Sequence, residues 1–322
     1  MNRIILIGNG FDLAHGMKTS YGNFINNYWG NKRKEIWSGK YNGEKYEDDN
    51  ILIDRVSAIV YEEIPENQSE YKSLLTNLEY NSGKLIFKNK LLKILTDRNH
   101  SLNWVDIEKE YYSLLKKSFR DFSLPIYKIT DLNKHFQSIE SLLEEYLTGV
   151  EKEFTKNFPN SAEENSFKKA IHKVIYSDFN LRDFSESSIN QLAEIEFQRV
   201  YNDIKSIEEG HKSLSGNELS DRELKLYQAL IGEDNKKQKL KKLLVSETAT
   251  NYFRHRPKEV LFVNFNYTST EIHYDNSPTD REFGKDISTD VIHIHGVLNN
   301  KTDNKIIFGF GDEIDKERLF RN

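Results

Sequence analysis

Residues 3–21, RIILIGNGFDLAHGMKTSY, place a short apolar strand directly before two closely spaced glycines. The run RIILI is rich in β-branched residues, which is typical of a buried strand. Gly8 and Gly10 would let the backbone turn sharply and bring its N–H groups against a phosphate. The third glycine of the dinucleotide-binding fingerprint is replaced by Leu13. The stretch therefore predicts either a nucleotide-binding turn or an ordinary turn in which Asp12 caps the helix.

Composition limits the classes of partner that the chain can have. Its 322 residues include 46 Lys and Arg against 51 Asp and Glu, so no overall basic field would attract nucleic acid or an anionic membrane. The sequence contains no cysteine, which excludes disulfides, zinc–thiolate sites and cysteine nucleophiles and fits a reducing compartment. The apolar run at 4–7 is too short for a signal peptide or a membrane span. We therefore expect a cytoplasmic globular protein without a membrane partner.

The strand-like and helix-like signals occupy different parts of the chain. Four short apolar runs lie near its two ends, at 3–7, 260–263, 291–294 and 305–308. Between them the apolar residues recur with helical spacing, as in SIESLLEEYLTGVEKEF (138–154) and KLKKLLVSETATNYF (239–253). This organisation predicts an α/β fold with a Rossmann-like, mostly parallel sheet built from both chain ends. The nucleotide-binding domain would comprise 1–44 and 251–322, and a large all-helical insertion would comprise 45–250.

Polar and glycine residues follow each of the late strand-like runs. The residues concerned are Asn266, Tyr267 and Thr268 after the second run, His295 and Gly296 after the third, and Gly309, Gly311 and Asp312 after the fourth. The carboxyl ends of parallel strands meet at one edge of a sheet, which is where open α/β sheets bind ligands. We therefore expect these residues and the first glycine turn to form one composite crevice.

Five motifs distributed from end to end of the chain carry a family resemblance. IILIGNGFDLAHGMKTSYGNF, NWVDIEKEYY (103–112), FNYT, HIHG and IIFGFGDE together resemble the bacterial phage abortive-infection AbiH family. The resemblance implies a role in defence, in which an infected cell stops growing or dies before the phage matures. The partners that we expect are a small nucleotide and either a second copy of the chain or another protein of the defence system, whereas nucleic acid is disfavoured.

The order of the glycine, Asn-Tyr and His-Gly motifs is also similar to that of sirtuin-type NAD-binding domains. This more distant resemblance implies NAD as a substrate, with Asn266 and His295 as the catalytic pair that supports cleavage of the bond between nicotinamide and ribose. His295 would serve as general base, and Asn266 would orient a water or a hydroxyl. The implied floor of the NAD site is formed by Gly8, Asn9, Gly10, Phe11 and Asp12, and the other implied contacts are His15, Tyr267, Thr268, Gly296, Gly309, Gly311 and Asp312. The sirtuin zinc module is missing with the cysteines, which argues against a deacetylase, whereas an NAD hydrolase could function without that module.

Several of these residues have a second interpretation. His293 and His295 lie two positions apart and could bind a metal with Asp12 or Asp312, as in a metal-dependent nuclease, although we expect no metal. His15 could pack rather than touch a ligand, and Asp312 could cap a helix. Glu108 either lines the crevice or begins a helix. The functional alternatives are accordingly an abortive-infection ribonuclease and a nucleotide-sensing regulator without catalysis.

Overall fold

The fold is given by a computed structural model, which describes most of the chain. The described residues are 1–36, 45–54, 69–80, 83–102, 107–120, 128–158, 166–214, 219–275, 287–299 and 304–307. Together they form a mixed α/β fold that is mostly helical. Gly309, Gly311 and Asp312, which were predicted to contact the nucleotide, lie outside the described residues.

The described ranges contain six strands and ten α-helices. The strands are β1 (Arg3–Ile7), β2 (Tyr46–Glu47), β3 (Ile51–Asp54), β4 (Lys84–Phe87), β5 (Glu259–Asn264) and β6 (Ser288–His293). The helices are α1 (Asn9–Ala14), α2 (Tyr21–Ile36), α3 (Glu70–Tyr80), α4 (Lys90–Leu102), α5 (Ile107–Arg120), α6 (Ile129–Asn157), α7 (Ser166–Tyr176), α8 (Glu186–Glu208), α9 (Asp221–Leu230) and α10 (Lys236–Leu244). Among these helices none is both long and apolar enough to cross a membrane.

The two ends of the chain form a small parallel sheet, as predicted. Its strand order is β1-β5-β6. The backbone N–H of Phe265 donates to the carbonyl of Ile7 at 2.8 Å, and that of Ile294 donates to the carbonyl of Asn264 at 2.8 Å. Three strands are fewer than the six of the usual Rossmann order, so the Rossmann-like part of the prediction is not confirmed. The described part of the fourth predicted run, 304–307, is not a regular strand.

The segment predicted to be an all-helical insertion contains a second sheet. Strands β2, β3 and β4 pair in an antiparallel manner, with Ile51 opposite Phe87 and Tyr46 opposite Ile53. Ile51 and Ile53 are fully buried on one face of this sheet. Strands of two to four residues are too short to produce a two-residue period that could be recognised beside the long helical patterns. The prediction that 45–250 is all helical is therefore wrong.

Two compact units can be distinguished. The larger unit comprises Leu6–Asn160, Phe262–His273 and Val291–Asn322, and the smaller unit comprises Met1–Ile5, Ser161–Leu261 and Tyr274–Asp290. The larger unit has an apolar core around Phe24, Trp29, Leu74, Leu91 and Leu143, and the smaller has a core around Leu181, Val200, Leu226, Leu230 and Leu240. Compactness alone does not define a binding domain, so the predicted division into 1–44 with 251–322 and 45–250 stays a prediction.

Helix α6 confirms the helical prediction for 138–154 and links the core of the larger unit to the candidate site. Ile139, Leu143 and Leu147 recur every four residues and are buried, so one face of the helix packs on the core. The hydroxyl of Tyr146 donates to the carbonyl of Lys18 at 2.6 Å, just before α2. These contacts fix α6 beside the segment that follows the first glycine turn.

Candidate functional site

A small pocket in the larger unit lies beyond the carboxyl ends of the three parallel strands. It encloses about 180 Å³. The residues that line it are Asn9, Asp12, Thr19, Tyr21, Glu108, Leu147, Phe265, Asn266, Tyr267, Thr268 and His295. Segments from both chain ends therefore meet at the sheet edge where such folds bind ligands, and Asn9 of the glycine turn shares one pocket with Asn266 and His295.

Asp12 is a buried carboxylate that ties α1 to the loop after β5. Only 1% of its surface is exposed. Its Oδ2 accepts a hydrogen bond from the Thr268 hydroxyl at 2.5 Å, and its Oδ1 accepts one from the Thr270 hydroxyl at 2.7 Å. Burial raises the pKa of Asp12, and the two hydroxyls oppose that rise because they stabilise the charged form. The N-cap of α1 is Gly8, so the alternative in which Asp12 caps the helix is wrong.

The side chain of Asn264 shapes the loop that carries the predicted catalytic asparagine. Its Oδ1 accepts a hydrogen bond from the backbone N–H of Asn266 at 2.8 Å. Its Nδ2 donates to the carbonyl of Thr268 at 2.8 Å and to Glu271 Oε2 at 2.6 Å. Asn264 is completely buried and uses both ends of its amide. The conformation of residues 264–268 is therefore fixed from within the fold.

Asn266 projects from this loop into the pocket. It is buried, and its Nδ2 makes no hydrogen bond of ordinary length to any described residue. Its side chain nevertheless stabilises the charged form of Asp12 and so opposes the rise in the pKa of that residue. A buried amide donor at a pocket wall is suited to hold a ligand hydroxyl or a water, because an unsatisfied buried donor is costly. Asn9, which also lines the pocket, has its Oδ1 accepting a hydrogen bond from the Thr19 hydroxyl at 2.6 Å.

His295 is partly buried at the rim of the pocket, just after β6. Its Nδ1 lies 3.2 Å from the carbonyl of Ile307, and because a carbonyl only accepts, Nδ1 carries the proton. In the neutral ring Nε2 is then the basic nitrogen. The ring lies between Phe265 and Tyr267, with centroid distances of 6.1 Å and 6.2 Å. These contacts fix both the tautomer and the position of the imidazole.

His293 has a different role from His295. Its Nε2 is 3.1 Å from Oε1 of Glu271, a side chain of which 1% is exposed. No group of three His, Asp or Glu side chains that could hold a metal is found within the described ranges. Asp312, which belonged to the alternative metal site, lies outside those ranges. The contacts of His293 therefore link β6 to Glu271, and through Asn264 to the loop that carries Asn266.

Glu108 lies in the pocket between two tyrosines. The Tyr21 hydroxyl donates to Glu108 Oε1 at 2.6 Å, and the Tyr267 hydroxyl lies 3.4 Å from the same oxygen. Burial, followed by the charge of Glu108, raises the pKa of both tyrosines well above the ordinary value, so both hydroxyls keep their protons and remain donors. Both interpretations of Glu108 are confirmed, because it lies in the first turn of α5 and also lines the pocket.

Several predicted ligand contacts do not line the pocket. These are Gly8, Gly10, Phe11, His15 and Gly296. His15 instead packs on Phe11, with a centroid distance of 4.5 Å, and on Phe154 at 5.8 Å, and burial lowers its pKa. Gly296 has a φ of 82°, and a Cβ there would overlap the carbonyl of Lys305. Packing within the protein therefore explains the presence of His15 and Gly296 at these positions without a ligand.

Sequence reasoning missed four of the pocket residues, namely Thr19, Tyr21, Leu147 and Phe265. Thr19 and Tyr21 lie at the end of the stretch 3–21, and Phe265 is next to Asn266. Their proximity in sequence to predicted site residues could therefore have identified them. Leu147 lies within the apolar repeat of α6, where nothing in the pattern distinguishes a pocket residue from a core residue.

Comparisons with known proteins place the chain in a family without giving a characterised relative. No curated protein matches it, and no solved structure does. The sequence model of the family described as bacteriophage abortive infection AbiH matches residues 4–320 of the 322. The chain therefore belongs to the AbiH family, which indicates a role in abortive-infection defence against phage.

Proposed function

We propose that the pocket hydrolyses NAD and that loss of NAD is how the protein acts in abortive infection. One observation carries the proposal: Asn266 and His295, which follow two different strands of the sheet, line the same pocket as Asn9 of the first glycine turn. Asn266 offers a buried amide donor, and His295 has its Nδ1 proton committed to Ile307. Hydrolysis of a glycosidic bond can use an amide that orients the water or the ribose and a basic nitrogen that takes the proton of the water.

The proposed reaction consumes one water and releases nicotinamide and ADP-ribose. The bond between the ribose C1′ and the pyridinium nitrogen breaks, and its electron pair moves to the nicotinamide ring. The oxygen of water forms the new bond to C1′, and Nε2 of His295 takes the proton that the water loses. Asn266 holds the water or a ribose hydroxyl, so its contribution is positional.

The backbone at Gly8 and Gly10, in the first turn, is open enough for a ligand to lie beside it. Gly8 has a φ of −126°, which other residues adopt, and Gly10 does not have a positive φ. A Cβ added at either position would meet no atom within 4 Å. Backbone strain and close packing therefore do not explain these glycines. Neither lines the pocket, but the open space beside them would admit a part of the ligand that lies outside it.

The partners and the location of this activity stay predictions. We expect a small nucleotide as substrate, and a second copy of the chain or another defence protein as the protein partner. A cytoplasmic location would give access to the NAD of the cell, and the proposed hydrolysis assigns no step to a metal.

The proposal is tested by incubating the purified full chain with NAD and, separately, with RNA, each with and without a chelator. We expect nicotinamide to appear in equal molar amount with ADP-ribose, and His295→Ala to abolish its release. His211→Ala, which alters a histidine with 74% of its side chain exposed, is the matched control and should retain full activity. RNA fragments with intact NAD would identify a nuclease, and binding of NAD without cleavage would identify a sensor. Either result contradicts the proposal.

A further inference from the structure

We infer that the pocket accepts the cationic N-ribosyl end of its substrate, leaves the phosphates outside, and uses Glu108 as a further catalytic residue that contacts the ribose. The inference rests on the proposed function, since it names the part of NAD that the pocket recognises. It comes from the charges and the size of the pocket, neither of which was used to propose hydrolysis.

The described lining of the pocket contains acids and no basic side chain other than His295. Asp12 and Glu108 are its carboxylates, and no Lys or Arg belongs to the described lining. Proteins bind phosphate with Arg, Lys or clusters of N–H donors, and two nearby carboxylates repel it. The same carboxylates attract a positive charge. The oxidised nicotinamide ring carries such a charge, and the reduced ring does not.

The walls of the pocket suit a flat cationic ring. Phe265 and Tyr267 flank His295, and Tyr21 lies on the side of Glu108. The negative faces of aromatic rings attract a cation that lies over them. The volume of about 180 Å³ is below the roughly 300–1,000 Å³ of pockets that enclose a drug-sized ligand. The pocket is therefore too small for a whole dinucleotide, so only one end of such a ligand could enter it and the other end must lie outside.

Glu108 is positioned to act on the ribose during the reaction. Tyr21 donates to its Oε1 at 2.6 Å, which fixes the carboxylate at the pocket wall. As the bond to nicotinamide breaks, positive charge moves from the ring onto the ribose. A fixed carboxylate in a partly desolvated pocket stabilises that charge and accepts hydrogen bonds from ribose hydroxyls. The hydroxyls of Tyr21 and Tyr267 stay protonated beside it, so they hold Glu108 in place without competing for the cation.

The test measures binding by calorimetry of four probes to the full chain: nicotinamide riboside, nicotinamide mononucleotide, ADP-ribose and reduced NAD. It also measures turnover of NAD. Glu108→Gln keeps the shape of the side chain and an oxygen for Tyr21 while removing the charge. Glu145→Gln, which alters an exposed acid of α6 outside the pocket, is the matched control.

We expect nicotinamide riboside to bind at least as tightly as nicotinamide mononucleotide, and reduced NAD to bind more weakly than the riboside. Glu108→Gln should weaken binding of the riboside roughly ten- to a hundredfold, the effect of one nearby charge, and Glu145→Gln should leave it unchanged. Tighter binding of mononucleotide or ADP-ribose than of riboside would overturn the inference, as would an unchanged affinity in Glu108→Gln. If the riboside binds as expected while NAD is not hydrolysed, the proposed function and the catalytic role of Glu108 both fail, and only the recognition of the cation stands. If none of the probes binds, both fail.

Discussion

The two threonine hydroxyls on Asp12 should be necessary for stability, and Thr270→Val tests this. The substitution keeps the shape of the side chain but removes the hydroxyl that donates to Asp12 Oδ1 at 2.7 Å. Both side chains are at least 98% buried, so water cannot replace the lost donor. A hydrogen bond to a charged group contributes about 1.5–3 kcal/mol. We therefore expect the free energy of unfolding near neutral pH to fall by about 2 kcal/mol.

The loss should depend on pH, because the hydroxyl stabilises the charged form of Asp12 more than the neutral form. Burial already raises the pKa of Asp12 above 3.8, and removing an opposing hydroxyl raises it further. A carboxyl whose pKa is higher in the folded than in the unfolded state lowers the free energy of unfolding at pH values above the folded pKa. This penalty disappears at lower pH, where the carboxyl is protonated in both states. The difference between wild type and Thr270→Val should therefore shrink as the pH is lowered from about 8 to about 4.

The assay is urea-induced unfolding followed by circular dichroism at several pH values. Thr148→Val is the matched control, because the Thr148 hydroxyl on α6 is buried and makes no hydrogen bond to a described residue. Removing an unsatisfied hydroxyl should leave stability unchanged or raise it. A loss in Thr270→Val that is the same at both ends of the pH range would refute the role of the charged carboxylate. So would an equal loss in Thr148→Val.

Three further substitutions should change the stability of the protein in a defined direction. Glu151 accepts a hydrogen bond from the Ser269 N–H at 2.7 Å, and burial, followed by the charges of Glu271 and Asp12, raises its pKa. Glu151→Gln keeps the acceptor and removes the charge, so urea unfolding should show a higher free energy of unfolding at neutral pH. That gain should vanish below the unfolded pKa near 4.5. Gly296→Ala should cost at least about 2 kcal/mol in the same assay, because the Cβ would overlap the backbone at a positive φ. Gly149→Ala, in the middle of α6 where a Cβ meets no atom, should instead raise the melting temperature by the equivalent of about 1 kcal/mol. A loss of stability in Gly149→Ala or Glu151→Gln, or a neutral Gly296→Ala, would contradict these assignments.

The parallel sheet and the main walls of the pocket could be predicted from the sequence, since both depend on short local patterns. Apolar β-branched runs identified β1, β5 and β6, and the polar residues after them identified Asn266 and His295. Parallel strands end at a common edge, so the convergence followed from topology alone. The prediction that such apolar runs are buried is wrong for parts of β1 and β6, because Ile4 and Leu6 are 65% and 70% exposed and Val291 and Ile292 are 42% and 48% exposed. An apolar run predicts a strand, but it does not predict whether one or both faces of the sheet are packed against other elements.

What could not be predicted depends on side-chain contacts that the pattern of apolar residues does not register, most of them between residues distant in sequence. The helical period in 239–253 continues past the point where α10 ends at Leu244. The hydroxyl of Ser246 bonds to the carbonyl of Leu243 at 2.8 Å and competes with the helix, which a count of apolar residues does not register. The pairing of Glu108 with Tyr21 spans 87 positions, and nothing in either segment encodes the other. The same holds for Leu147, whose place at the pocket depends on how α6 packs.

Helix α6 is one continuous helix of 29 residues, about 43 Å long, that runs beside the pocket. It places Leu147 at the pocket, Glu151 on the backbone of Ser269 and Tyr146 on the backbone of Lys18. Two hydrogen bonds and one packing contact thus connect the same helix to the pocket and to the segments around it, so substitutions along α6 can disturb the pocket without touching a ligand. Screens that seek catalytic residues by loss of function will consequently also collect positions along this helix that never meet the substrate. Measuring substrate affinity and turnover separately will distinguish the two groups.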